Sequence, residues 1–451
     1  MKLSDQHIFK GYWWLPEKED DKVAGILTYN PEEKILLELI GGFSGTDGKI
    51  LGLFECDPQK EPLIYGIDSE AEAITLVDCH SCFSYNFSSS FPMMRYSTRM
   101  VIIGKHIKSI DECCNYTANV RFPELSHWAP PEVIQQTCHF SSAGELESSS
   151  FHIPNCSGDN GIICSVSLEN GFLLSINKGA LYHSETLMLK PSLEQFSYLK
   201  LRRPSGGTNI QELLHTIYDF QQFLSLATRR IVRAESIYLQ DPDIRQDIND
   251  AKSFCLPIHI LTRQAPAFNP EKLNRINFIF NFEDFPGRIP ELIKNWMSES
   301  SSLQPIKHHL VDSLSSKPVV GSTDFLIVIQ AIEGVWWRFL NDDYCKTHNL
   351  KRNKNTCLQT ILSEMTASLS DIPDIKRLNI DIDATVDSRH YYSHFMYKSK
   401  KPKTLTGVSL YNLTIKLRTV LLCHVLERLG LTHKELSGII SRQTERHRFA
   451  E

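Results

Sequence analysis

The sequence lacks a long uninterrupted hydrophobic run. Its most apolar stretch, 325–340, is broken by Gln330, Glu333 and Arg338 and is too short to cross a bilayer. Residues 1–16 lack the basic segment followed by an apolar run that defines a signal peptide. We therefore expect a cytoplasmic protein with no membrane partner, and we interpret 325–340 as a buried core helix.

Motifs of several common enzyme classes are also missing. There is no Walker loop, no HExxH zinc helix and no serine elbow of the hydrolase type. The glycines near the N-terminus do not stand between a strand and a helix, so they do not predict a nucleotide-binding loop. We expect no cofactor and no metal at the functional site.

Cysteine, in contrast, is well represented, with twelve residues in the chain. Without a secretory signal, reduced and buried thiols are the default expectation. The one local cluster comprises Cys79 and Cys82 with Cys113 and Cys114 downstream. Four soft ligands can hold zinc, but adjacent cysteines chelate one ion poorly, so the sequence disfavours this site and leaves it open.

The overall composition is that of a globular protein, with 451 residues, 41% hydrophobic and 22% charged. One core rarely grows past about 300 residues, so two or three domains are expected. Residues 398–451 contain eleven Lys or Arg against four Glu, a balance of +7 in a chain of net charge −5. This basic end indicates a polyanionic partner such as nucleic acid, although a solvated helix surface explains it equally well.

The first two hundred residues have a β-rich pattern. Short β-branched runs bounded by turn residues predict strands at 23–29, 34–40 and 73–77. The runs 162–168 and 172–176 flank an Asn-Gly pair, which predicts a hairpin with a type I′ turn.

A helix is predicted near 208–228, starting with a capping box formed by Thr208 and Gln211. From 290 onwards, apolar residues recur at three- and four-residue steps, which predicts an all-α bundle of five to seven helices. Thr432 and Glu435 offer a capping box for the last one. The candidate helices span 290–299, 303–314, 323–340, 356–369, 384–397, 408–429 and 433–442.

These patterns predict a multidomain α+β fold. We place the boundary after a β-rich N-terminal region, 1–288, and before an all-α region, 289–451.

Arg389 and His394 form a candidate site for RNA cleavage. Arginine supplies a permanent cation whose planar fork matches phosphate, and histidine accepts and donates protons near neutral pH. Together they suffice for metal-independent cleavage, in which a ribose 2′-OH attacks its own phosphate. An Arg with a His beyond four to six intervening residues occurs six times in the chain, so context must decide. The main competitor is Arg418 with His424, but His424 lies near a leucine stripe and is predicted to be a core histidine.

The surroundings of Arg389 agree with a site. Asp387, His390 and His394 share one helical face, where the carboxylate could orient an imidazole. Tyr391 and Tyr392 could stack on unpaired bases. A loop follows whose lysines could hold a phosphate backbone; they are Lys398, Lys400, Lys401 and Lys403. A surface helix with chance His and Lys residues explains the same residues about equally well.

An all-α region carrying Arg-x4-His resembles a HEPN ribonuclease domain. The N-terminal half resembles the N-terminal domain of ApeA-type antiphage HEPN proteins, in 11–16 (GYWWLP), 23–27 (VAGIL), 64–66 with 74–76, 122–128 (FPELSHW) and 219–226. Many HEPN domains have Asn directly after the Arg, whereas this chain has His390. The resemblance implies a bacterial nuclease of abortive-infection type that acts as a homodimer through the HEPN domain and pairs two Arg/His sets.

The resemblance also implies roles for single residues. His394 would be the general acid/base, Arg389 would stabilise the phosphate, His390 would assist and Asp387 would orient an imidazole. HEPN domains often carry an acidic residue on an earlier helix facing the motif, and Glu333 is the candidate, with a structural salt bridge as an equal alternative.

The implied partner is RNA, with tRNA and phage transcripts as candidates, and the trigger is an unidentified phage component. A homodimer would partly bury Tyr391, Tyr392 and Phe395. The alternative is a non-catalytic HEPN module for RNA binding or dimerisation.

Overall fold

The computed structural model describes residues 1–43, 60–82, 93–156, 158–184, 192–249, 252–264, 272–298, 300–314, 321–350 and 356–448. The chain forms two compact units. The N-terminal unit comprises Met1–Tyr218 and Arg233–Ala267, and the C-terminal unit comprises Asp219–Val232 and Phe268–Glu451. The domain boundary at 288–289 stays a prediction.

The N-terminal unit is built from antiparallel strands. They are β1 His7–Trp14, β2 Val23–Tyr29, β3 Ile35–Ile40, β4 Lys60–Asp68, β5 Ala73–Ser81, β6 Met93–Thr98, β7 Met100–Ile103, β8 Thr117–Arg121, β9 Gln135–Phe140, β10 Leu146–His152, β11 Ile162–Ser167, β12 Leu173–His183, β13 Ser192–Arg202, β14 Ser236–Asn249 and β15 Lys252–Thr262. A short helix, α1 (Pro123–Trp128), follows β8. The strands predicted at 23–29, 34–40 and 73–77 are confirmed, and the last continues to Ser81.

Thirteen of the described strands form one sheet, in the order β11-β12-β13-β8-β14-β15-β7-β5-β4-β1-β2-β3-β6, and β9 and β10 form a separate hairpin. Because β6 also pairs with β5, six strands close into a ring. The fully buried Trp13 lies opposite Gly66 in the β1–β4 register. A Cβ at residue 66 would lie 2.4 Å from the Trp13 ring, so a side chain there would collide with the indole.

The predicted hairpin is confirmed, but its turn type is wrong. β11 and β12 pair with Ser167 opposite Leu173, and Leu168 N donates to Phe172 O at 2.8 Å. Between Leu168 and Phe172, only Gly171 has a positive φ, of 83°, whereas a type I′ turn also needs a positive φ at Asn170. The connection is therefore a longer loop that ends in a left-handed glycine.

The helix predicted near 208–228 is confirmed as α2 (Ile210–Thr228), but its predicted cap is wrong. The Asn209 side chain accepts a hydrogen bond from Glu212 N at 2.8 Å. The Thr208 hydroxyl instead donates to the Glu212 carboxylate at 3.0 Å. The backbone of Thr208 pairs with Cys114, which holds it one residue before the capping position.

The C-terminal unit is helical and includes the end of α2. Its further helices are α3 Ile289–Ser298, α4 Ser300–Leu314, α5 Ser322–Val335, α6 Asn341–Thr347, α7 Leu358–Ser368, α8 Pro373–Arg377, α9 Ile382–His394, α10 Gly407–Arg428 and α11 His433–Arg448. The described residues after 288 thus contain nine helices, and the expected five to seven is wrong. The two unpredicted helices, α6 and α8, are too short to show a helical period.

The predicted helix 323–340 is not continuous. It is α-helical only to Val335 and then makes one π-helical turn, Trp336–Leu340. Phe325, Val328 and Ile332 are buried, which confirms a core helix. In the described residues, no helix combines the length and the apolar character needed to span a membrane.

Two arginine–carboxylate ion pairs connect distant segments of the C-terminal unit. The Arg288 guanidinium donates to both oxygens of Glu435 at 2.7 Å and also to Gly430 O. Arg442 binds both oxygens of Asp284 at 2.9 Å. The predicted capping box is confirmed, since Thr432 N donates to Glu435 Oε2 at 2.7 Å. α10 packs against α4, α5 and α11, and α9 packs against α5 and α7.

Candidate active site

Helix α9 carries the Arg389 motif and is fixed at both ends. The Asp381 side chain caps its start by accepting from Ala384 N at 2.9 Å. Thr385 and Ser388 are completely buried, so this face packs inward and leaves Arg389 on a partly exposed face. The helix ends at His394, because Phe395 adopts a left-handed conformation with φ 51°. The predicted extension to 397 is therefore wrong.

Arg389 and His394 are in direct contact. Arg389 Nη1 lies 2.8 Å from His394 Nε2. Because a guanidinium can only donate, this contact is a hydrogen bond when Nε2 is the acceptor, which is the tautomer that carries its proton on Nδ1. In the single chain, the candidate proton acceptor, His394 Nε2, is therefore in contact with Arg389, the candidate cation for a phosphate.

Glu333 on α5 approaches the same guanidinium. Its Oε1 lies 3.6 Å from Arg389 Nη2, and both side chains are about one-quarter exposed. Burial raises the pKa of Glu333, and the Arg389 cation opposes that rise. The structure thus brings Glu333 to Arg389 and His394, although more than fifty residues of sequence separate it from them.

His390 is the second histidine of the motif. Its ring centroid lies 5.8 Å from that of His394, edge to face. Burial lowers the pKa of His390, and the cations Lys401 and Arg389 lower it further, against a raising effect of Asp387.

Asp387 contacts the lysine loop, which we define as residues 398–403, instead of an imidazole. Its carboxylate lies 3.3 Å from Lys401 Nζ and accepts from Lys403 N at 3.2 Å. Among the described residues no hydrogen bond joins Asp387 to a histidine. The predicted orienting role therefore lacks a contact, because both oxygens face the loop.

The four lysines of this loop differ in how free their charges are. Lys401 is held by Asp387, and Lys403 Nζ binds Asp383 at 2.5 Å, a hydrogen bond that raises the pKa of Lys403. Lys398 and Lys400 are exposed and form no ion pair with a described residue. These two are the lysines most available to a phosphate backbone.

The two tyrosines belong to the packing of the loop more than to its surface. The Tyr392 hydroxyl donates to Leu405 O at 3.1 Å, and its ring lies edge-on to Phe325. Tyr391 stands against Tyr392 with ring centroids 4.9 Å apart. Sequence reasoning missed Ser388, whose hydroxyl accepts from Leu405 N at 2.9 Å. A serine three residues after Thr385, on the inward face, was the available signal.

Large apolar side chains beside the motif are exposed. Phe395 is 91% and Tyr397 76% exposed, and Val408 and Tyr411 follow at the start of α10. We call these four residues the aromatic patch. Exposed apolar side chains mark an interaction site when they form one surface, and we use the name only for these four residues near the motif in sequence.

The competing pair does not form a similar site. His424 is buried and its Nε2 hydrogen-bonds Met365 O at 3.0 Å, which confirms it as a core histidine. Arg418 is also buried.

The cysteine cluster offers no described metal centre. Burial raises the pKa of Cys79 to about 12, so its thiol stays protonated and is a poor ligand. Cys114 lies 3.6 Å from Lys105 Nζ. In the residues that the structure describes, no group of three His, Cys, Asp or Glu side chains could hold a metal ion.

Comparisons with known proteins give the family. The family model for ApeA N-terminal domain 1 matches residues 8–296, and the model for the Apea-like HEPN domain matches residues 326–435, which include Glu333, Arg389 and His394. No curated protein and no solved structure matches the chain. HEPN domains are generally ribonucleases, and they typically bind RNA and dimerise. The chain belongs to the ApeA family and is a HEPN-family antiphage defence protein.

Proposed function

We propose that this protein is a metal-independent endoribonuclease that acts in antiphage defence by an abortive-infection route. The carrying observation is the contact between Arg389 and His394, with Glu333 on the far side of the guanidinium. On a partly exposed helix face, Nη1 of a guanidinium whose planar shape matches phosphate thus lies 2.8 Å from Nε2 of an imidazole.

The chemistry follows from these two groups. His394 Nε2 removes the proton of a ribose 2′-OH, whose oxygen attacks the adjacent phosphorus. The bond from phosphorus to the 5′-oxygen breaks, leaving a 2′,3′-cyclic phosphate and a 5′-hydroxyl. Arg389 stabilises the charge that develops on the phosphoryl oxygens. An RNA phosphate competes with His394 for the guanidinium, so substrate binding frees Nε2 when it is needed.

The reaction also needs an acid for the leaving 5′-oxygen. A homodimer through the HEPN domain would bring a second His394 to the site, using the same surface on both chains. The aromatic patch adjoins the motif and is uncovered in the single chain, which supports that surface. In a monomer His390 is the nearest alternative, since its ring lies 5.8 Å from His394.

RNA binding would extend from the motif to the lysine loop. Lys398 and Lys400 carry free charges there, while Lys401 and Lys403 are tied to carboxylates. Candidate substrates are tRNA and phage transcripts, in the cytoplasm, and an unidentified phage component would be the trigger. The catalytic part would be the HEPN domain, 289–451, and the region 1–288 would restrain it.

Cleavage of labelled RNA in the presence of EDTA tests the proposal. Wild-type protein should cleave, and His394→Ala should not, because the proton acceptor is gone. His348→Ala is the matched control, since His348 is an exposed histidine of the same unit. Continued cleavage by His394→Ala would refute the assignment. RNA binding without cleavage by both proteins would identify the non-catalytic module instead.

A further inference from the structure

A buried arginine, Arg418, lies among the buried leucines of α10. Arg418 is 8% exposed and sits beside Leu417 and Leu421, which are fully buried. Its Nε has no hydrogen-bond partner, and no described residue forms an ion pair with its guanidinium. Burying a charge is costly unless a partner compensates it, so an aliphatic residue would suit this position better.

A second arginine reaches the same place from another segment. Arg229 follows the last residue of α2 and lines one cavity together with Arg418. Its φ is 55°, the left-handed conformation that usually selects glycine at a helix end. Arg229 thus places a long cationic side chain at a position where glycine would adopt the same backbone conformation without strain.

The two like charges affect one another. Burial lowers the pKa of Arg418 to about 10, with Arg229 lowering it further, while Asp324 and Tyr411 oppose this. The Asp324 carboxylate accepts from Gly321 N at the start of α5.

The cavity has the size and lining of a small anion site. Its volume is about 30 Å³, and its walls include Leu314, Leu422 and the hydroxyl-bearing Thr419. A single water needs about 10–15 Å³ on the same measure, so the space exceeds that of one water. All of these residues lie in the C-terminal unit.

We propose that this cavity binds a phosphate group between the guanidiniums of Arg229 and Arg418. A phosphate oxyanion would accept hydrogen bonds from the guanidinium of Arg418, whose buried Nε has no partner, and would add a counter-charge beside Arg229. The ligand is inorganic phosphate or the phosphate of a small nucleotide. The site shares no residue with the Arg389 motif and does not depend on the nuclease assignment.

Thermal unfolding of the full chain tests this site. Sodium phosphate should raise the Tm of the wild type saturably, by roughly 2–5 °C, over sodium chloride at equal ionic strength. Arg418→Met should weaken the apparent phosphate affinity at least tenfold, and Arg418→Lys should keep part of it. Lys434→Met is the matched control, because it removes an exposed charge from the same unit. Titration calorimetry with inorganic phosphate and with AMP identifies the source, since binding of both shows that a nucleotide phosphate enters.

Three results would overturn the proposal. They are an equal Tm rise in chloride and phosphate, an equal phosphate effect in Arg418→Met and Lys434→Met, and no binding heat for either ligand. If Arg418→Met does not fold, Arg229→Gln gives the same test at a residue that is only partly buried and lies just after the end of α2, where loss of the phosphate effect is again expected.

Discussion

Arg389 contacts two side chains in the single chain, each through a different guanidinium nitrogen. His394 Nε2 accepts a hydrogen bond from one guanidinium nitrogen, and Glu333 attracts another from 3.6 Å. The carboxylate remains when a phosphate replaces the histidine as the partner of Arg389. We therefore propose that Glu333 is a positioning residue, which would hold the guanidinium in place during the proposed reaction.

Removing this charge should lower catalysis more than binding. Glu333→Gln should reduce kcat for RNA cleavage roughly tenfold and leave KM nearly unchanged, because a slightly misplaced cation stabilises the transition state less. Glu333→Asp should recover part of the rate. Steady-state kinetics measure both values, and Glu364→Gln, on the neighbouring helix α7, is the control. Equal losses in both glutamine variants, or a raised KM with unchanged kcat, would contradict this role.

The placement of Glu333 beside the motif could be predicted from the sequence, whereas its role stays a prediction. Glu333 was recognisable because it is a single charge among apolar neighbours, and a buried charge needs a partner. The partners of Asp387 were not predictable, because helical spacing places it near both the histidines and the loop. The loop fold decides between them through Lys401 and Lys403 N.

At the scale of elements, helix α10 and the turn between α7 and α8 meet at a histidine of α11. His433 Nδ1 lies 2.7 Å from Asp371, and Nε2 lies 3.1 Å from Glu427. The hydrogen bond to Asp371 is the largest cause of a raised His433 pKa, and Glu427 adds to it. Hydrogen bonds from His424 and His433 lower the pKa of Glu427 in turn.

This cluster should make stability depend on pH. A raised histidine pKa means that the stabilisation is complete below the ordinary value of 6.5 and is lost as pH rises past the folded value. The lowered pKa of Glu427 means that its share is present above 4.5 and lost below the folded value. His433→Gln should therefore lower the Tm by several degrees near about pH 6 and by less near about pH 9.

Calorimetric scans at several pH values check this. His348→Gln should show no such trend, since His348 is exposed. A loss in His433→Gln that is independent of pH, or that grows towards high pH, would refute the charged imidazole.

Helices were predictable from periodicity, but their ends and interruptions were not. Helix α10 is twenty-two residues long, and over such a length the apolar period averages out local exceptions. The π-helical turn after Val335 inserts an extra residue per turn, which a pattern of apolar residues cannot register. The Asn209 cap was hidden because Thr208, a good capping residue, is used in a backbone bridge.

At the scale of the whole molecule, the aromatic patch should control self-association. Phe395→Asp places a charge in the patch, and aspartate tolerates the left-handed backbone at this position. We expect dimerisation to weaken at least tenfold, because a buried aromatic anchor is lost. The cleavage rate of the variant should recover as its concentration rises. Sedimentation velocity over a concentration series gives the dissociation constant.

The matched control is Leu350→Asp, which charges an exposed apolar residue elsewhere in the same unit. Undisturbed dimerisation of Phe395→Asp would show that the patch is not the interface. Full activity in a purely monomeric protein would assign the second proton transfer to His390.

The β-rich and α-rich halves could be predicted because strand and helix periods differ. The pairing of β6 with β5, which closes the six-strand ring, could not, because four other strands stand between these two in the sheet order. The return of Asp219–Val232 to the C-terminal unit was equally hidden, since α2 shows one continuous helical period.

The ends of the cleaved RNA test the central claim most directly. A defined RNA and the same RNA with a single 2′-deoxy nucleotide at the cleavage site should be incubated with the protein in EDTA, and the products weighed by mass spectrometry. Attack by the 2′-OH predicts a 2′,3′-cyclic phosphate and a 5′-hydroxyl from the first RNA, and no cleavage at the deoxy position of the second. A 3′-hydroxyl with a 5′-phosphate, or cleavage at the deoxy position, would contradict the assignment of His394 as the base that activates the ribose.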